Sequence, residues 1–365
     1  MKLSIIIPCF NEAKTIRELV TRVRAAEIPA AWQKEIIVVD DGSEEETREV
    51  LRDLLLESPD VLRVIFKKQN GGKGSAVKTG LSEAAGDYLI IQDADLEYNP
   101  DDYARLLASL LEDGTTSVFG SRTLGKNNVP FSRFYFYGGL LVSKVFNLAF
   151  GTNLSDITTC YKVFPRVLIK EILEQPSNDF VFDAVELTSV IARNTTVVEV
   201  PISYKSRTRK EGKKIDWRDG VLCVFAICCL RVGINVAVGM RIMRFVVTGA
   251  IAAAVNLSVL YVATAYGHIW YLYSAMLSFI VAFVVSFLLS KFWAFGNRAR
   301  LGTERQLVLH LLVATANLGI NTALMYLFVE GFGLWYMFAQ VCAAILIAFE
   351  SYFAYQWIYR VRSAV

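Results

Sequence analysis

The sequence predicts an α/β fold in which a doubly wound domain is followed by an α-helical membrane domain of four transmembrane helices in two hairpins. Three observations predict it. Short apolar strands alternate with helical patterns over the first 120 residues, polar clusters stand at the ends of those strands, and residues 244–359 are mostly apolar. The apolar fraction of all 365 residues is 54%, above the roughly 45–50% of soluble domains. The excess therefore indicates a membrane-spanning part.

The first part of the chain reads as alternating β and α units. Its apolar segments are rich in Ile and Val and are continuous, as expected where helices cover both faces of a parallel sheet. We predict strands at 3–8, 35–40, 61–66, 88–93 and 117–120, helices at 13–26, 44–57, 73–85 and 100–112, and, less regularly, helices near 135–150 and 181–193, an apolar segment at 160–164 and a strand near 196–202. Such alternation implies ligand binding at the carboxyl ends of the strands.

An apolar stretch at 221–230 separates this part from the membrane domain. It spans only ten residues, too few to cross a bilayer. Trp217, Arg218 and Arg231 flank it, so we interpret it as a helix at the membrane surface, with a buried core helix as the alternative. The predicted domains are 1–215, an interfacial amphipathic segment at 216–240, and a transmembrane domain at 241–365.

Four segments, at about 245–266, 270–292, 306–329 and 335–358, each exceed the ~20 residues needed to span a bilayer. Two hairpins would place all basic residues beyond 243 on one side, whereas the opposite turns carry no Lys or Arg. The positive-inside rule then places both termini and the first domain in the cytoplasm. The basic residues are Arg244, Lys291, Arg298, Arg300, Arg305, Arg360 and Arg362.

The two hairpins also look like copies of one unit. A shift of 65 residues superposes Asn256 on Asn321, Tyr261 on Tyr326, Trp270 on Trp335, Tyr271 on Tyr336 and Ser286 on Ser351. Glu350 lies within the fourth helix, where an ionisable group indicates a functional or paired role, with His310 as a candidate partner. A neutral Glu350 hydrogen-bonded between helices is the alternative.

Three polar clusters stand at predicted strand ends: Asn11-Glu12, the run Asp40-Asp41-Gly42-Ser43, and Asp93-Ala94-Asp95. Alternation along an extended chain puts Asp93 and Asp95 on the same side, able to face one cation. Oxygen ligands suit Mg²⁺ or Mn²⁺, and Glu97 could supply a further oxygen. Acidic clusters at one rim would repel one another without a cation, so we predict a metal and phosphate site; an ordinary surface loop is the alternative.

Two further segments carry positive charge or glycine. In Asn70-Gly71-Gly72-Lys73-Gly74-Ser75 the residue after Lys73 is Gly, which excludes a Walker A loop. The segment either opens a helix whose N-terminus and Lys73 face phosphate, or is an ordinary strand-to-helix turn. The basic stretch at 205–214 binds a leaving diphosphate, anionic lipid headgroups, or both. The net charge of +3 is too small to argue for nucleic acid.

As a set, these motifs resemble the inverting nucleotide-sugar glycosyltransferases of the GT-A (Rossmann-like) fold. The runs Asp93-Ala94-Asp95-Leu96, Gly120-Ser121-Arg122 and Glu199-Val200-Pro201, the last followed by basic residues, are similar to those of dolichyl-phosphate mannose synthases and of polyprenyl-phosphate glucosyltransferases. The resemblance covers residues 1–220. The C-terminal region resembles the GtrA-like membrane module found with such enzymes.

The resemblance implies a role for each matching position. Pro8, Phe10, Glu12, Val39 and Asp41 would hold the nucleoside, although Phe10 replaces the more usual Tyr and lacks its hydroxyl. Lys73 would contact the nucleotide sugar. Asp93, Ala94 and Asp95 would bind the metal and diphosphate, whereas Glu97, which we predict from its position as a further metal ligand, stands where the mannose synthases often have Gln. Arg207, Lys213 and Lys214 would close over the diphosphate. Arg122 would meet sugar or phosphate, and the segment 180–186 would lie near the acceptor. Apart from the resemblance, we expect Asp95, Arg122 and Arg133 to be the catalytic residues, with Arg122 and Arg133 holding the incoming phosphate.

The implied reaction transfers a hexose, with inversion, from a nucleotide sugar to a polyprenyl or dolichyl phosphate at the cytoplasmic membrane face. GDP-mannose is the favoured donor. A UDP-glucose-dependent polyprenyl-phosphate glucosyltransferase, and a lipid-carrier translocase with a regulatory sugar-binding domain, are the alternatives. The missing Gln-x-x-Arg-Trp motif argues against a processive synthase. The expected location is the plasma membrane of a prokaryote, and six cysteines without a disulfide pattern fit a reducing compartment. The sequence does not predict the oligomeric state.

Overall fold

The computed structural model describes residues 1–57, 60–110, 116–125, 128, 132–207, 216–297 and 302–359. The chain divides into two compact units, Met1–Val236 and Ala237–Val365. Each unit has its own architecture, an α/β domain in the first and an array of long helices in the second.

The first unit is built on one seven-stranded sheet with the strand order β3-β2-β1-β4-β6-β5-β7. The strands are β1 (Lys2–Cys9), β2 (Gln33–Asp40), β3 (Leu62–Phe66), β4 (Tyr88–Ile91), β5 (Thr116–Ser121), β6 (Lys162–Pro165) and β7 (Thr196–Pro201). The described pairings are parallel except those of β6, which runs antiparallel to β4 and β5. The chain order reverses between β1 and β4, which is where α/β sheets of this kind open a ligand crevice.

Helices connect and cover these strands. They are α1 (Ile16–Ala25), α2 (Glu45–Glu57), α3 (Lys73–Glu83), α4 (Tyr103–Leu110), α5 (Arg133–Phe150), α6 (Ile169–Leu173), α7 (Thr188–Asn194) and α8 (Trp217–Arg231). Three of them have irregular starts: 3₁₀ turns at Pro100–Asp102 and Arg166–Leu168 lead into α4 and α6, and a π-helical turn at Phe182–Leu187 leads into α7.

The predicted α/β fold is confirmed, with one difference in strand direction. Continuous apolar strands were expected because both sheet faces are covered, and Ile5, Ile6, Ile37 and Val38 are all fully buried. The prediction of a parallel sheet holds for β1 to β5, whereas β6 is antiparallel. Its four residues are too short for hydrophobicity to indicate a direction, since parallel and antiparallel core strands carry the same apolar side chains.

Helix α8 occupies the predicted interfacial segment. It begins with a capping box in which Asp216 and Asp219 exchange side-chain and backbone hydrogen bonds. The helix contacts α5 and buries Cys223 and Ile227, while Trp217 is exposed. A location at the membrane surface, and the boundaries 1–215, 216–240 and 241–365, stay predictions.

The second unit contains four helices, among the described residues, that are long and apolar enough to cross a membrane: Val236–Ala265, Tyr271–Ala294, Thr303–Gly331 and Tyr336–Ile358. They correspond to the four predicted spans, although the first begins nine residues earlier than the predicted start at 245. Of the basic residues used for the orientation, Arg298, Arg300, Arg360 and Arg362 lie outside the described residues.

The predicted duplication is visible in the geometry of the two hairpin turns. His268 and Gly333, 65 residues apart, both have positive φ, at 51° and 68°. Ile269 N donates to Ala263 O at 3.1 Å, and Leu334 N, again 65 residues later, donates to Phe328 O at 3.0 Å. The same backbone turn therefore closes both hairpins.

His310 pairs with Tyr359 and not with Glu350. Its Nδ1 lies 2.8 Å from the Tyr359 hydroxyl, and its ring stacks on Tyr355 with centroids 4.3 Å apart. Glu350 is exposed, and the Ser351 hydroxyl lies 3.5 Å from its carboxylate. His310 thus belongs to the aromatic core of this unit, and the hypothesis that it pairs with Glu350 is not supported.

Candidate functional site

Four of the parallel strands direct their carboxyl ends to one rim of the first unit, and the loops after them carry the predicted polar clusters. The loop after β1 contains Asn11 with φ of 55°, and the loop after β4 contains Leu96 with φ of 60°. A bulky residue such as Leu96 is rare in the left-handed region, and conformations of this kind cluster at ligand sites. The turn at Leu96 separates Asp95 from Glu97 along the chain.

Asp41 shapes the glycine-rich segment 70–75, which we call the glycine loop. Its carboxylate, 2% exposed, accepts hydrogen bonds from Gly71 N at 3.1 Å, from Gly72 N at 2.8 Å and from the Lys67 ammonium. Gly72 has φ of 90°, and a Cβ there would lie 2.4 Å from Asn178 O. Only glycine fits this position. The structure thus places Asp41 beneath the loop, as its anchor.

Lys73 begins α3 and sits between two carboxylates. Its Nζ lies 2.7 Å from Asp93 Oδ1 and 2.7 Å from Asp183 Oδ2. Burial by itself lowers the pKa of Lys73, but the charges of Asp183 and Asp93 outweigh it and hold that pKa well above its usual value. Lys73 is therefore a fixed positive charge at the predicted metal and phosphate rim.

Asp95 is the carboxylate with the most unfavourable surroundings. Burial and the nearby charges of Asp93 and Glu97 raise its pKa to about 7, against the opposing effect of Arg207. Its Oδ1 accepts a hydrogen bond from Glu97 N at 3.2 Å. A cation at this point would relieve the repulsion, so the residues fit a divalent metal ion.

The site fits a hard cation that takes only a few of its ligands from the protein. Among the described residues, no group of three or more His, Cys, Asp or Glu side chains is arranged to hold a metal by itself. Mg²⁺ commonly binds through one or two carboxylates and completes its shell with water and substrate phosphate. Asp93 and Asp95 are the two carboxylates that would hold it here.

Glu97 and Arg207 connect the loop after β4, residues 93–97, which we call the acidic loop, to the segment after β7. Glu97 Oε1 accepts from Arg207 N at 2.5 Å, and Oε2 accepts from the Tyr204 hydroxyl at 2.5 Å. The Arg207 guanidinium in turn lies 3.2 Å from the Glu12 carboxylate. Both oxygens of the predicted third metal ligand are thus engaged with this segment, while Glu12 and Arg207 meet across the mouth of the rim.

Arg122 follows β5 and forms a two-pronged ion pair with Asp156. Its Nε and Nη2 donate to the two Asp156 oxygens at 2.7 Å each, and its guanidinium lies 5.1 Å from the centre of the Tyr204 ring. Burial opposes ionisation of Asp156, but Arg122 outweighs it and lowers the pKa of that carboxyl. Glu199 fixes the same loop by accepting from Ser155 N at 2.7 Å and Asp156 N at 3.1 Å.

A cavity of about 450 Å³ opens beside Arg122. Helices α5 and α8 form most of its wall, and its lining is largely apolar. The lining includes a polar cluster in which Arg122 contacts Asp156 and Tyr204, and it also includes Asp216 and Asp219 at the start of α8. Because the Tyr204 hydroxyl also donates to Glu97, a single side chain joins this polar cluster to the acidic loop.

The structure brings most of the predicted residues to one rim. Those at the described strand ends or in the loops beside them are Pro8, Phe10, Glu12, Asp41, Lys73, Asp93, Ala94, Asp95, Glu97, Arg122 and Arg207. Val39 is fully buried within β2, and Arg133 is exposed at the start of α5 and is not among the described residues that line the cavity. Lys213 and Lys214 lie outside the described residues.

Three residues at or behind the rim were not predicted from the sequence: Lys162, Asp156 and Tyr204. Lys162 is fully buried. A signal for it existed, because it is the one charged residue in the apolar segment 160–164. Asp156 and Tyr204 lie in irregular segments, where no periodicity indicates which side chains face the site.

Comparison with protein families matches two parts of the chain. Residues 4–173 match the glycosyl transferase family 2 model, and residues 244–359 match the model of the GtrA/DPMS transmembrane domain. The first matched region includes most of β1, strands β2 to β6 and the acidic loop, and the second includes most of the four long apolar helices.

Among curated proteins, the chain is 32% identical over 218 residues to a dolichol-phosphate mannosyltransferase of Pyrococcus furiosus, covering 58% of this chain and 59% of the relative. It is 28% identical over 212 residues to an undecaprenyl-phosphate 4-deoxy-4-formamido-L-arabinose transferase of Pseudomonas fluorescens, covering 58% and 59%. The chain thus spans less than two thirds of the length of these relatives.

Among solved structures, glucosyl-3-phosphoglycerate synthase from Mycobacterium tuberculosis, in complex with Mn²⁺, UDP and phosphoglyceric acid, aligns with a TM-score of 0.47. The sequences are 19% identical, and the alignment covers 64% of this chain and 79% of that one.

Proposed function

Because the chain carries a glycosyl transferase family 2 domain and a GtrA/DPMS transmembrane domain, we propose that it transfers a hexose from a nucleotide sugar to a polyprenyl or dolichyl phosphate. The observation that carries the proposal is the largely apolar cavity whose polar cluster contains Arg122 and connects through Tyr204 to the acidic loop. An acceptor with a long apolar chain and a phosphate head matches that distribution of polarity. A water-soluble acceptor without an apolar chain would not bury apolar surface against this wall.

In the proposed reaction, an oxygen of the acceptor phosphate forms a bond to the anomeric carbon of the sugar. The bond from that carbon to the β-phosphate oxygen breaks, and its electron pair leaves with the nucleoside diphosphate, so that the configuration inverts. The acceptor phosphate is already anionic near neutral pH, and the reaction therefore requires no strong general base. Rate enhancement then depends on positioning and on charge stabilisation.

The residues of the rim would divide this work between the two substrates. Lys73 and Arg207 would stabilise the departing diphosphate, and Arg122 would orient the acceptor phosphate at the polar cluster of the cavity. Asp93 and Asp95 would hold Mg²⁺ or Mn²⁺, which supplies charge neutralisation at the diphosphate when it is bound. Arg133, at the start of α5, would attract the acceptor from the membrane side.

The proposal includes a membrane location, with the reaction at the cytoplasmic face of a prokaryotic plasma membrane. Four spans would leave both termini on one side, and the basic residues near the spans support the cytoplasm as that side. The apolar surface of α5 and α8 supports contact with lipid, since Phe134, Tyr137, Leu141 and Trp217 are all more than half exposed.

The test is transfer of labelled sugar by the full-length protein in detergent with Mn²⁺ and one polyprenyl phosphate. GDP-mannose and UDP-glucose are assayed separately, each with tritium in the sugar. We expect a labelled, organic-extractable lipid monosaccharide from one donor, with GDP-mannose favoured. A long polymer would instead indicate a processive synthase. The absence of any labelled product with either donor, in protein shown to be folded, would contradict hexose transfer and favour a translocase.

Filling the cavity should weaken acceptor binding selectively. Gly139 lines the cavity on α5, and a Cβ there would lie 3.6 Å from Thr158 Oγ1, an ordinary contact. We expect Gly139→Leu to raise the acceptor KM by about tenfold or more and to leave the donor KM unchanged. Gly139→Ala, which adds one methyl group that fits, is the matched control. An unchanged acceptor KM in the leucine variant would show that the acceptor chain binds elsewhere.

A further inference from the structure

A fully buried lysine stands behind the rim and touches neither of the proposed substrates. Lys162, at the start of β6, is 0% exposed. Its Nζ donates to Thr159 O at 2.5 Å and to Asp183 O at 2.9 Å, and it lies 3.3 Å from Asp183 Oδ1. Burying an ammonium group is costly, and an apolar side chain often replaces a buried ion pair without loss of stability. The buried ammonium of Lys162 therefore indicates a role other than packing.

Asp183 links this lysine to the rim. Its side chain is 2% exposed, with Oδ1 directed at Lys162 and Oδ2 lying 2.7 Å from Lys73 Nζ. Lys73 then reaches Asp93, also at 2.7 Å. The four side chains form an alternating series, Lys162–Asp183–Lys73–Asp93, which we call the ion chain. It begins in the buried sheet and ends at the proposed metal site.

The ion chain fixes a side chain that would otherwise be mobile. The backbone of Lys73 is held firmly, because a Cβ at Gly72 or Gly74 would lie within 2.8 Å of Asn178. Its side chain, however, has four flexible carbons and gains a single position only from its carboxylate partners. Asp183 draws the ammonium toward the protein interior, and Asp93 draws it toward the rim.

We infer that Lys162 and Asp183 are positioning residues that hold the Lys73 ammonium beside Asp93, where it meets the diphosphate of the donor. The inference rests on the proposed function. Lys162 balances part of the charge on Asp183. Without Lys162 that carboxylate would retain Lys73 more strongly, and the ammonium would move away from the rim. A plain stabilising role for the Lys162–Asp183 pair is the competing explanation.

A double-variant comparison separates the two explanations. Lys162→Met, Asp183→Asn and the combined variant are made in the full-length protein. Unfolding temperature and the Kd for Mn²⁺ with GDP or UDP, whichever the unaltered protein binds, are then measured. Each single change leaves a buried charge with one fewer partner, so both single variants should be less stable. The combined variant removes one charge of each sign and should recover most of that stability.

We expect the combined variant to bind the nucleoside diphosphate about tenfold more weakly, or about 1.4 kcal/mol, with an unchanged KM for the acceptor. Lys78→Met is the matched control. Lys78 lies on the same helix and donates to Gln175 O and Ser177 O, outside the ion chain. Its loss should lower stability and leave the Kd unchanged.

The outcomes distinguish the inference from the proposed function. If the combined variant regains stability and also binds the nucleoside diphosphate as tightly as the unaltered protein, the positioning role is wrong and the proposed function stands. If the unaltered protein binds neither GDP nor UDP with Mn²⁺, the proposed function and the inference are overturned together.

Discussion

Replacing Asp95 with alanine is expected to reduce sugar transfer by at least about 1000-fold, the upper range for loss of one charge-stabilising group, while the protein still folds. Asp95 lies between Asp93 and Glu97, and burial together with these neighbouring charges raises its pKa to about 7. Asp93 is paired with Lys73, and Glu97 is engaged by Tyr204 and Arg207. Asp95 is therefore the group on which a cation would depend most.

Folding should not suffer from this change. Removing one of three close carboxylates relieves repulsion, so in the presence of a metal chelator the unfolding temperature of Asp95→Ala should equal or exceed that of the unaltered protein. Calorimetry with Mn²⁺ and the nucleoside diphosphate should show no metal-dependent binding by the variant. Asp101→Ala is the control, because Asp101 is an exposed carboxylate six residues further on. Full turnover by Asp95→Ala would refute the assignment of the rim.

The fold was predictable because its determinants are local and periodic. Continuous apolar strands, helical patterns between them and long apolar spans each leave a signature in a short window of sequence. The 65-residue repeat indicated that the two hairpins are copies of one unit, and the matching positive φ angles of His268 and Gly333 agree with it. The direction of β6 was not predictable, because it depends on which strands a four-residue segment meets far along the chain.

The composition of the rim was predictable, but its internal pairing was not. Strand ends place Asp41, Lys73, Asp93 and Asp95 together in any parallel sheet of this order. Lys73 and Asp183 are 110 positions apart in the sequence, and their contact depends on how the segment 178–183 packs against the glycine loop. The resemblance implies that Asp41 contacts the nucleoside, which stays a prediction; the sequence did not indicate that its carboxylate also anchors that loop.

Replacing Arg122 with lysine is expected to reduce transfer by about 100-fold and to lower the free energy of unfolding by about 2–3 kcal/mol. Lysine keeps the positive charge but cannot donate two parallel hydrogen bonds to one carboxylate, as the guanidinium does to Asp156 at 2.7 Å. It also lacks a planar group to lie over Tyr204, which lines the same cavity. The loop that carries Asp156 and the part of the cavity proposed to hold the acceptor phosphate therefore both lose their alignment.

The readout must separate loss of alignment from loss of fold. Transfer is measured at a temperature where chemical denaturation shows the variant to be fully folded, and the acceptor KM is compared with the donor KM. Arg193→Lys is the control, since Arg193 forms an exposed pair with Glu171 at 3.5 Å, worth roughly 0–1 kcal/mol. We expect the acceptor KM of Arg122→Lys to rise more than its donor KM. The reverse order would move Arg122 from the acceptor phosphate to the leaving diphosphate, because each substrate reports only the contacts that it makes.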